Sequence, residues 1–229
     1  MNYELNKVVI IGSGNLAEAL ARAVAKSGLE LVQIFARNAE RARIIAELTA
    51  TDWATHPGML AQDADIYLIA VSDKAVEHVA ATLPIPEGAA VAHTAGSVPL
   101  AAIPEKFAHR AVFYPMQTFT KGREVDFSVI PVFLETPSAE LRPELEAFAR
   151  QLSGTVIWAT SEQRARVHLA AVFACNFANH MYAVGERIVR DAGIDFDGLK
   201  PLTAETAPQT CGARPPPAVQ TGPAVRTDF

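Results

Sequence analysis

The residues best suited to chemistry begin at Gly12-Ser13-Gly14-Asn15-Leu16-Ala17, a glycine-rich turn between the apolar run Val8–Ile11 and a helical stretch starting at Asn15. Glycine at 12 permits a tight turn. Glycine at 14 leaves room for a pyrophosphate to reach the backbone, and alanine at 17 is small enough for close helix–strand packing. A helix opening there offers free N–H groups and a partial positive charge to phosphates. Strand, turn and helix in that order predict a dinucleotide site, with Gly12, Ser13, Gly14, Asn15 and Leu16 against the cofactor. The next apolar run, Leu31–Phe35, leads into Ala36-Arg37-Asn38, with Arg41 one turn on and no acidic residue at the strand tip to bind ribose hydroxyls. A guanidinium there suits a 2′-phosphate, because its planar fork pairs bidentately with phosphate oxygens. Arg37 and Asn38, with Arg41 as a second guanidinium, therefore predict NADP(H) over NAD(H); the alternative is a solvated surface arginine.

Further candidates lie past other strand ends, where ligands sit in doubly wound sheets. Val71 and Ser72 follow one apolar run, and Thr94 and Ala95 lie in His93-Thr94-Ala95-Gly96-Ser97. All four read as cofactor contacts, whereas His93 reads as a histidine hydrogen-bonded in place, with a contact to the cofactor as the alternative. In Tyr114-Pro115-Met116-Gln117-Thr118-Phe119, Gln117 is a candidate for the substrate end of the cleft. Cys175 and Cys211 make no C-x-x-C pair, which argues against a metal or redox motif; they read as one core and one loop thiol.

These residues need elements to hold them. Strands are predicted over Val8–Ile11, Leu31–Phe35, Ile66–Val71, Ala89–His93, Ala111–Phe113, Val129–Leu134 and Thr155–Trp158. Helices are predicted over Asn15–Ser27 (closed by Gly28), Ala39–Leu48 and Glu140–Leu152. Ile66–Val71 is nearly all apolar, as in a central parallel strand buried on both faces. Strands spaced by helices mean βαβ units in a doubly wound sheet. From Ser161 to Ala192 the pattern is helical throughout, with a capping box from Thr160 and Gln163 and a stop at Gly193. At 1.5 Å per residue that helix would be roughly 45 Å long, too long for a small sheet domain. A further helix is expected from Leu199 to Pro208, before the extended Pro215-Pro216-Pro217. The expected architecture is an α/β chain: a Rossmann-like NADP-binding domain over 1–160, then a smaller all-α substrate and dimerisation domain over 161–229. The helix start Thr221-Gly222-Pro223 is followed by barely one turn, so the last helix is expected to be cut short.

Half the residues are hydrophobic, a fifth are charged and the net charge is −5, which argues against a nucleic-acid partner. The most apolar helical stretch, Leu169–Ala178, is too short to span a bilayer and is interrupted by Asn176. With no apolar signal region before the first strand, a cytoplasmic protein is expected.

Taken together, Val8–Leu20, Ala70-Val71-Ser72-Asp73, residues 93–97, residues 114–119, Phe173-Ala174-Cys175-Asn176-Phe177-Ala178-Asn179-His180 and Gln220–Ala224 resemble a bacterial family. That family joins a Rossmann-like domain to a helical C-terminal domain of unknown function. It is similar to pyrroline-5-carboxylate reductases and to NADP-dependent oxidoreductases, deazaflavin-dependent members among them. The resemblance covers essentially the whole chain and implies a homodimer, with substrate between the nicotinamide and the first long helix of the second domain. On that helix His168, Val172, Asn176, Asn179 and Ala183 fall on one stripe at spacings of three and four. His168 alone on the stripe titrates near neutrality, so it is the candidate acid, with a structural histidine as the alternative. Asn176 is the second catalytic candidate and Asn179 a substrate contact, because amides on an apolar stripe need partners if buried; the other domain or a second subunit are the alternative partners. Thr221 and Gly222 resemble the helix start that holds the substrate carboxylate in pyrroline-5-carboxylate reductases; a plain helix cap is the alternative.

One departure from related architectures is informative. β-Hydroxyacid reductases use a helix lysine as proton donor, and no lysine occurs between Ser161 and Gly193. Imine reduction is less demanding, since a protonated C=N is already electrophilic. The leading expectation is a dimeric NADP(H)-dependent reductase of a small carboxylate-bearing imine or carbonyl compound. The alternative is an NADP(H)-binding redox sensor or scaffold with little turnover.

Overall fold

The computed structural model describes residues 4–211. Its first unit runs β1 (Lys7–Ile11), α1 (Asn15–Lys26), β2 (Glu30–Phe35), α2 (Ala39–Thr49), β3 (Asp52–Ala54), β4 (Ile66–Ile69), α3 (Val76–Thr82), β5 (Ala90–His93), β6 (Arg110–Pro115), β7 (Val132–Glu135), α4 (Leu141–Leu152), β8 (Val156–Trp158) and α5 (Ser161–Ala171). The eight strands form one doubly wound sheet in the order β3-β2-β1-β4-β5-β6-β7-β8, parallel throughout except between β6 and β7. Chain order reverses between β1 and β4, which opens a crevice at their carboxyl ends.

Period-two alternation builds the core on both faces of this sheet. Val8, Ile10, Ile66 and Leu68 pack with Leu20 of α1, Ile45 of α2 and Phe148 of α4. Val9, Ile11, Tyr67 and Ile69 pack on the other face with Ala80 of α3 and Phe107. Each such aliphatic side chain contributes roughly 1.5–3 kcal/mol on burial, so β1 and β4 form a stiff floor for the turn between β1 and α1.

Several boundaries differ from the sequence pattern. β3 and α3 were not legible, being three and seven residues long, below the window in which periodicity speaks. Val129 closes a 3₁₀ turn, Phe127–Val129, and β7 starts only at Val132, because Pro131 has no N–H for the ladder. α1 closes at Ser27, not through Gly28: the Ser27 N–H donates to the Ala23 and Val24 carbonyls at 3.1 Å. The capping box does form. Thr160 N–H donates to Gln163 Oε1 at 2.9 Å, and Gln163 N–H donates to Thr160 Oγ1 at 3.2 Å.

The long helical stretch is not one α-helix. α5 gives way to a π-helical segment, Val172–Phe177, before α6 (Ala178–Asp191). The chain divides into two compact units between Ala171 and Val172, eleven residues beyond the 160/161 boundary read from composition. In the second unit, Gly193 at φ 75° ends α6, with Gly193 and Ile194 N–H groups returning to the Arg190 and Val189 carbonyls; a left-handed glycine closes a helix in this way. A 3₁₀ turn, Phe196–Gly198, and α7 (Lys200–Cys211) follow, and α7 carries Pro208 within it. None of the described residues of this unit is buried. Phe173, Phe177, Met181 and Ile188 are exposed apolar side chains, and the Cys175 thiol is exposed too. No helix of the described residues is long and apolar enough to cross a membrane.

Candidate functional site

The turn after β1 is shaped by contact with β4. Gly12 sits at φ +139°, and a Cβ there would lie 2.1 Å from the Ala70 carbonyl oxygen; no side chain fits that position. Gly14 occupies the N-cap of α1, and around its missing Cβ nothing lies within 4 Å. No side chain caps α1, so its first-turn N–H groups are directed at open space, as an anion site requires. The space is a cleft of about 640 Å³ lined by Gly12, Ser13, Gly14, Asn15, Leu16, Arg37, Asn38, Val71 and Ser72, and by Thr55, His78 and Val79. This donor set, open at Gly14 and the start of α1, suits the pyrophosphate of a dinucleotide.

The predicted cofactor residues take distinct places around this cleft. Arg37 is exposed on the cleft wall. Asn38 uses its Oδ1 to cap α2, accepting from the Arg41 N–H at 3.0 Å. The Arg41 guanidinium, read as a candidate second phosphate ligand, is engaged elsewhere here: Nη2 donates to Glu18 Oε2 at 2.7 Å, and Arg22 pairs with the same carboxylate at 3.1 Å. Burial alone would raise the Glu18 pKa, but the two guanidiniums hold it below the usual range. Asn15 Nδ2 donates to the Phe119 carbonyl at 3.0 Å, tethering the loop after β6. Thr94 and Ala95 are buried and do not line the cleft; Thr94 Oγ1 donates to the Ile69 carbonyl at 3.2 Å. His78 was missed, and the available signal was His78 and Thr82 four apart just after a cofactor-type strand end.

A second group of polar residues lies farther along the sheet. Tyr114, near the end of β6, places its hydroxyl 3.0 Å from Nδ1 of His168 on α5. α5 is fixed to the sheet one turn earlier by Arg164, which is 1 % exposed. Arg164 Nη1 pairs with Glu135 at the end of β7, and Nη2 donates to the Val98 carbonyl. Ser161 Oγ donates to Glu135 Oε2 at 2.8 Å and accepts from the Leu100 N–H at 3.0 Å. This anchoring explains why α5 belongs to the sheet unit. Gln117 is exposed, with Oε1 accepting from the Thr118 N–H at 2.8 Å. Asn176 and Asn179 are exposed in the second unit, so burial does not oblige them to find partners. The π segment also breaks the 3.6-residue phase on which their stripe with His168 was read. Thr221 and Gly222 lie outside the described residues.

His93 is fully buried at the end of β5, with Nδ1 accepting from the Ala95 N–H at 3.2 Å. Burial, together with the Arg164 guanidinium, pushes its pKa down to about 4. Of the two readings offered by the sequence, the structure has the histidine hydrogen-bonded in place.

Sheet order, glycine turn and open helix start define the class, an NAD(P)-dependent oxidoreductase-like Rossmann fold. Residues 7–95 match a family model described as "NADP oxidoreductase coenzyme F420-dependent", and residues 130–229 match "Domain of unknown function (DUF2520)". A solved structure titled "putative NADP oxidoreductase BF3122 from Bacteroides fragilis" is 40 % identical, covers 100 % of this chain and 88 % of its own, and has a TM-score of 0.90. A Thermotoga maritima protein is 25 % identical, covering 96 % of this chain and 86 % of its own at a TM-score of 0.80. A pyrroline-5-carboxylate reductase from Coxiella burnetii shares the fold at 16 % identity, with 98 % and 84 % coverage and a TM-score of 0.63. No curated protein matches the chain. The chain belongs to the family of the Bacteroides fragilis protein, which joins an NADP oxidoreductase domain to a DUF2520 domain.

Proposed function

We propose that the protein is a cytoplasmic NADP(H)-dependent reductase of a small carboxylate-bearing imine or carbonyl compound. The observation that carries this reading is the pairing, within one unit, of an uncapped glycine turn beside Arg37 with the Tyr114–His168 pair. NADPH, when bound, supplies the hydride. Gly12–Leu16 hold its pyrophosphate, Arg37 its 2′-phosphate, and Val71 and Ser72 the surface beyond. His168 supplies the proton, and Gln117 orients the substrate. The missing helix lysine favours C=N over C=O, and the shared fold with pyrroline-5-carboxylate reductase supports the same choice.

Titration calorimetry tests the cofactor. NADPH should bind about 10–100-fold more tightly than NADH, the worth of one charge-assisted hydrogen bond, and Arg37→Ala should erase the difference. Equal affinities in the unmodified protein would overturn the NADP(H) assignment. A panel of imino and keto acids, followed by loss of NADPH absorbance, tests the reaction. Tight NADPH binding with no turnover across the panel would favour a redox sensor instead.

The same reading makes the protein a homodimer through its second unit. That unit buries none of its described residues, and a run of exposed Phe173, Phe177, Met181 and Ile188 is the kind of patch that subunit contacts cover. Light scattering should give twice the chain mass; a monomer at micromolar concentration would refute this.

A further inference from the structure

We infer that Tyr114 is a positioning residue for His168, and that position 96 is glycine so that the two side chains can meet. The two rings stand edge to face, with centroids 5.9 Å apart at 73°. Both press on Gly96: a Cβ there would lie 2.6 Å from His168 Nδ1 and 2.7 Å from Tyr114 Cζ. Neither contact is with the tip of a flexible chain, so even a methyl group would push the pair apart. Tyr114 is itself held from below, packed with Val112 and Phe133 and with Leu100 and Val167 around them. Arg164 anchors the preceding turn of α5. The geometry therefore fixes both ends of the hydrogen bond.

A tyrosine hydroxyl suits this task because it both donates and accepts. It donates to Nδ1 of neutral His168, which places the imidazole proton on Nε2. It accepts from Nδ1–H of the imidazolium after a rotation about its own C–O bond, so the ring need not move. In either state Nε2 is the nitrogen left to face a substrate. Burial raises the Tyr114 pKa, as does the Asp73 carboxylate, while the Arg164 guanidinium acts in the opposite sense; the phenol stays protonated at neutral pH. This inference rests on the reductase reading. In that reaction hydride from the reduced nicotinamide adds at carbon and the C=N or C=O π pair moves onto nitrogen or oxygen. That atom takes the proton from imidazolium Nε2, before hydride addition for an imine and as charge develops on oxygen for a carbonyl, leaving His168 neutral until solvent reprotonates it.

The test has two arms. The first is ¹⁵N NMR of histidine-labelled full-length protein without cofactor or substrate. Neutral His168 should show one tautomer, unprotonated at Nδ1, and Tyr114→Phe should shift the Nδ1 resonance and mix the tautomers. An unchanged His168 spectrum in Tyr114→Phe would overturn the inference. The second arm is kinetic. Tyr114→Phe should lower kcat about 10–100-fold, the loss of one hydrogen bond to a charged group, with KM and NADPH affinity unchanged. Gly96→Ala should behave alike, and the double variant should be no worse than the worse single one, since both break the same contact. Losses that multiply would also overturn it. If no substrate turns over, the reductase reading fails while the NMR arm still decides the role of Tyr114.

Discussion

Replacing His168 by alanine is expected to slow NADPH consumption about 10²–10⁴-fold, the usual worth of a positioned general acid, with NADPH affinity unchanged. The expectation rests on placement. His168 is half-buried, meets a hydroxyl at 3.0 Å, and lies one turn beyond the anchored Arg164. His168→Gln should recover little, because an amide retains hydrogen bonding but cannot release a proton at neutral pH. Single-turnover kinetics under saturating NADPH would locate the loss in the chemical step. A His168→Ala variant within about threefold of the parent, well below the range for general acids, would assign the proton to water or substrate and leave His168 a structural group.

Folding stability is expected to fall by about 3 kcal/mol between pH 6.5 and pH 4 through His93 alone, from 1.36 kcal/mol per pKa unit. The sign follows from its environment. In the unfolded chain this histidine takes up a proton near pH 6.5, its ordinary value, but in the fold burial and Arg164 delay uptake to about 4. Above 6.5 both states are neutral and stability is complete. Below 6.5 only the unfolded chain gains the proton, so stability declines until the folded chain also protonates near 4. Glu18 acts lower on the scale: its depressed pKa confers stability above the ordinary carboxylate value that is lost as pH falls through the lowered one. Denaturant melts at intervals across this range would read the slope. His93→Asn, whose Oδ1 can replace Nδ1 as acceptor for the Ala95 N–H, should be less stable at neutral pH but flatter in the window. An equal slope in both proteins would contradict the assignment.

The buried arginine completes the account of why the second half of the sheet unit holds its shape. Arg164 and Glu135 come from elements 29 residues apart, and their charges balance only because the Val98 carbonyl and Ser161 share the load. An ion pair of this kind is costly to break and does more to fix geometry than to add net stability. Here what it fixes is α5, and with α5 the height of His168 above the sheet.

By itself the sequence determined what depends on neighbours along the chain. Gly12 and Gly14 flank a turn between an apolar strand and a helix, a pattern complete within six residues, although the Ala70 carbonyl that forbids a side chain at Gly12 comes from the end of another strand. Arg37 ends a strand whose apolar pattern is unambiguous, and Thr160 with Gln163 caps α5 from three residues away. Tertiary structure alone decided the rest. Tyr114 and His168 are 54 residues apart, and nothing in either segment marks the other. Arg41 turned from the cleft to Glu18, 23 residues away, because a buried carboxylate demands a partner more strongly than a solvent-facing cleft does. The stripe from His168 to Ala183 assumed one helical phase, which the π segment interrupts. Local periodicity reports which face of its own element a residue occupies. Which faces meet is set by the order of strands in the sheet and by the path of α5 across it, and those are properties of the packed chain.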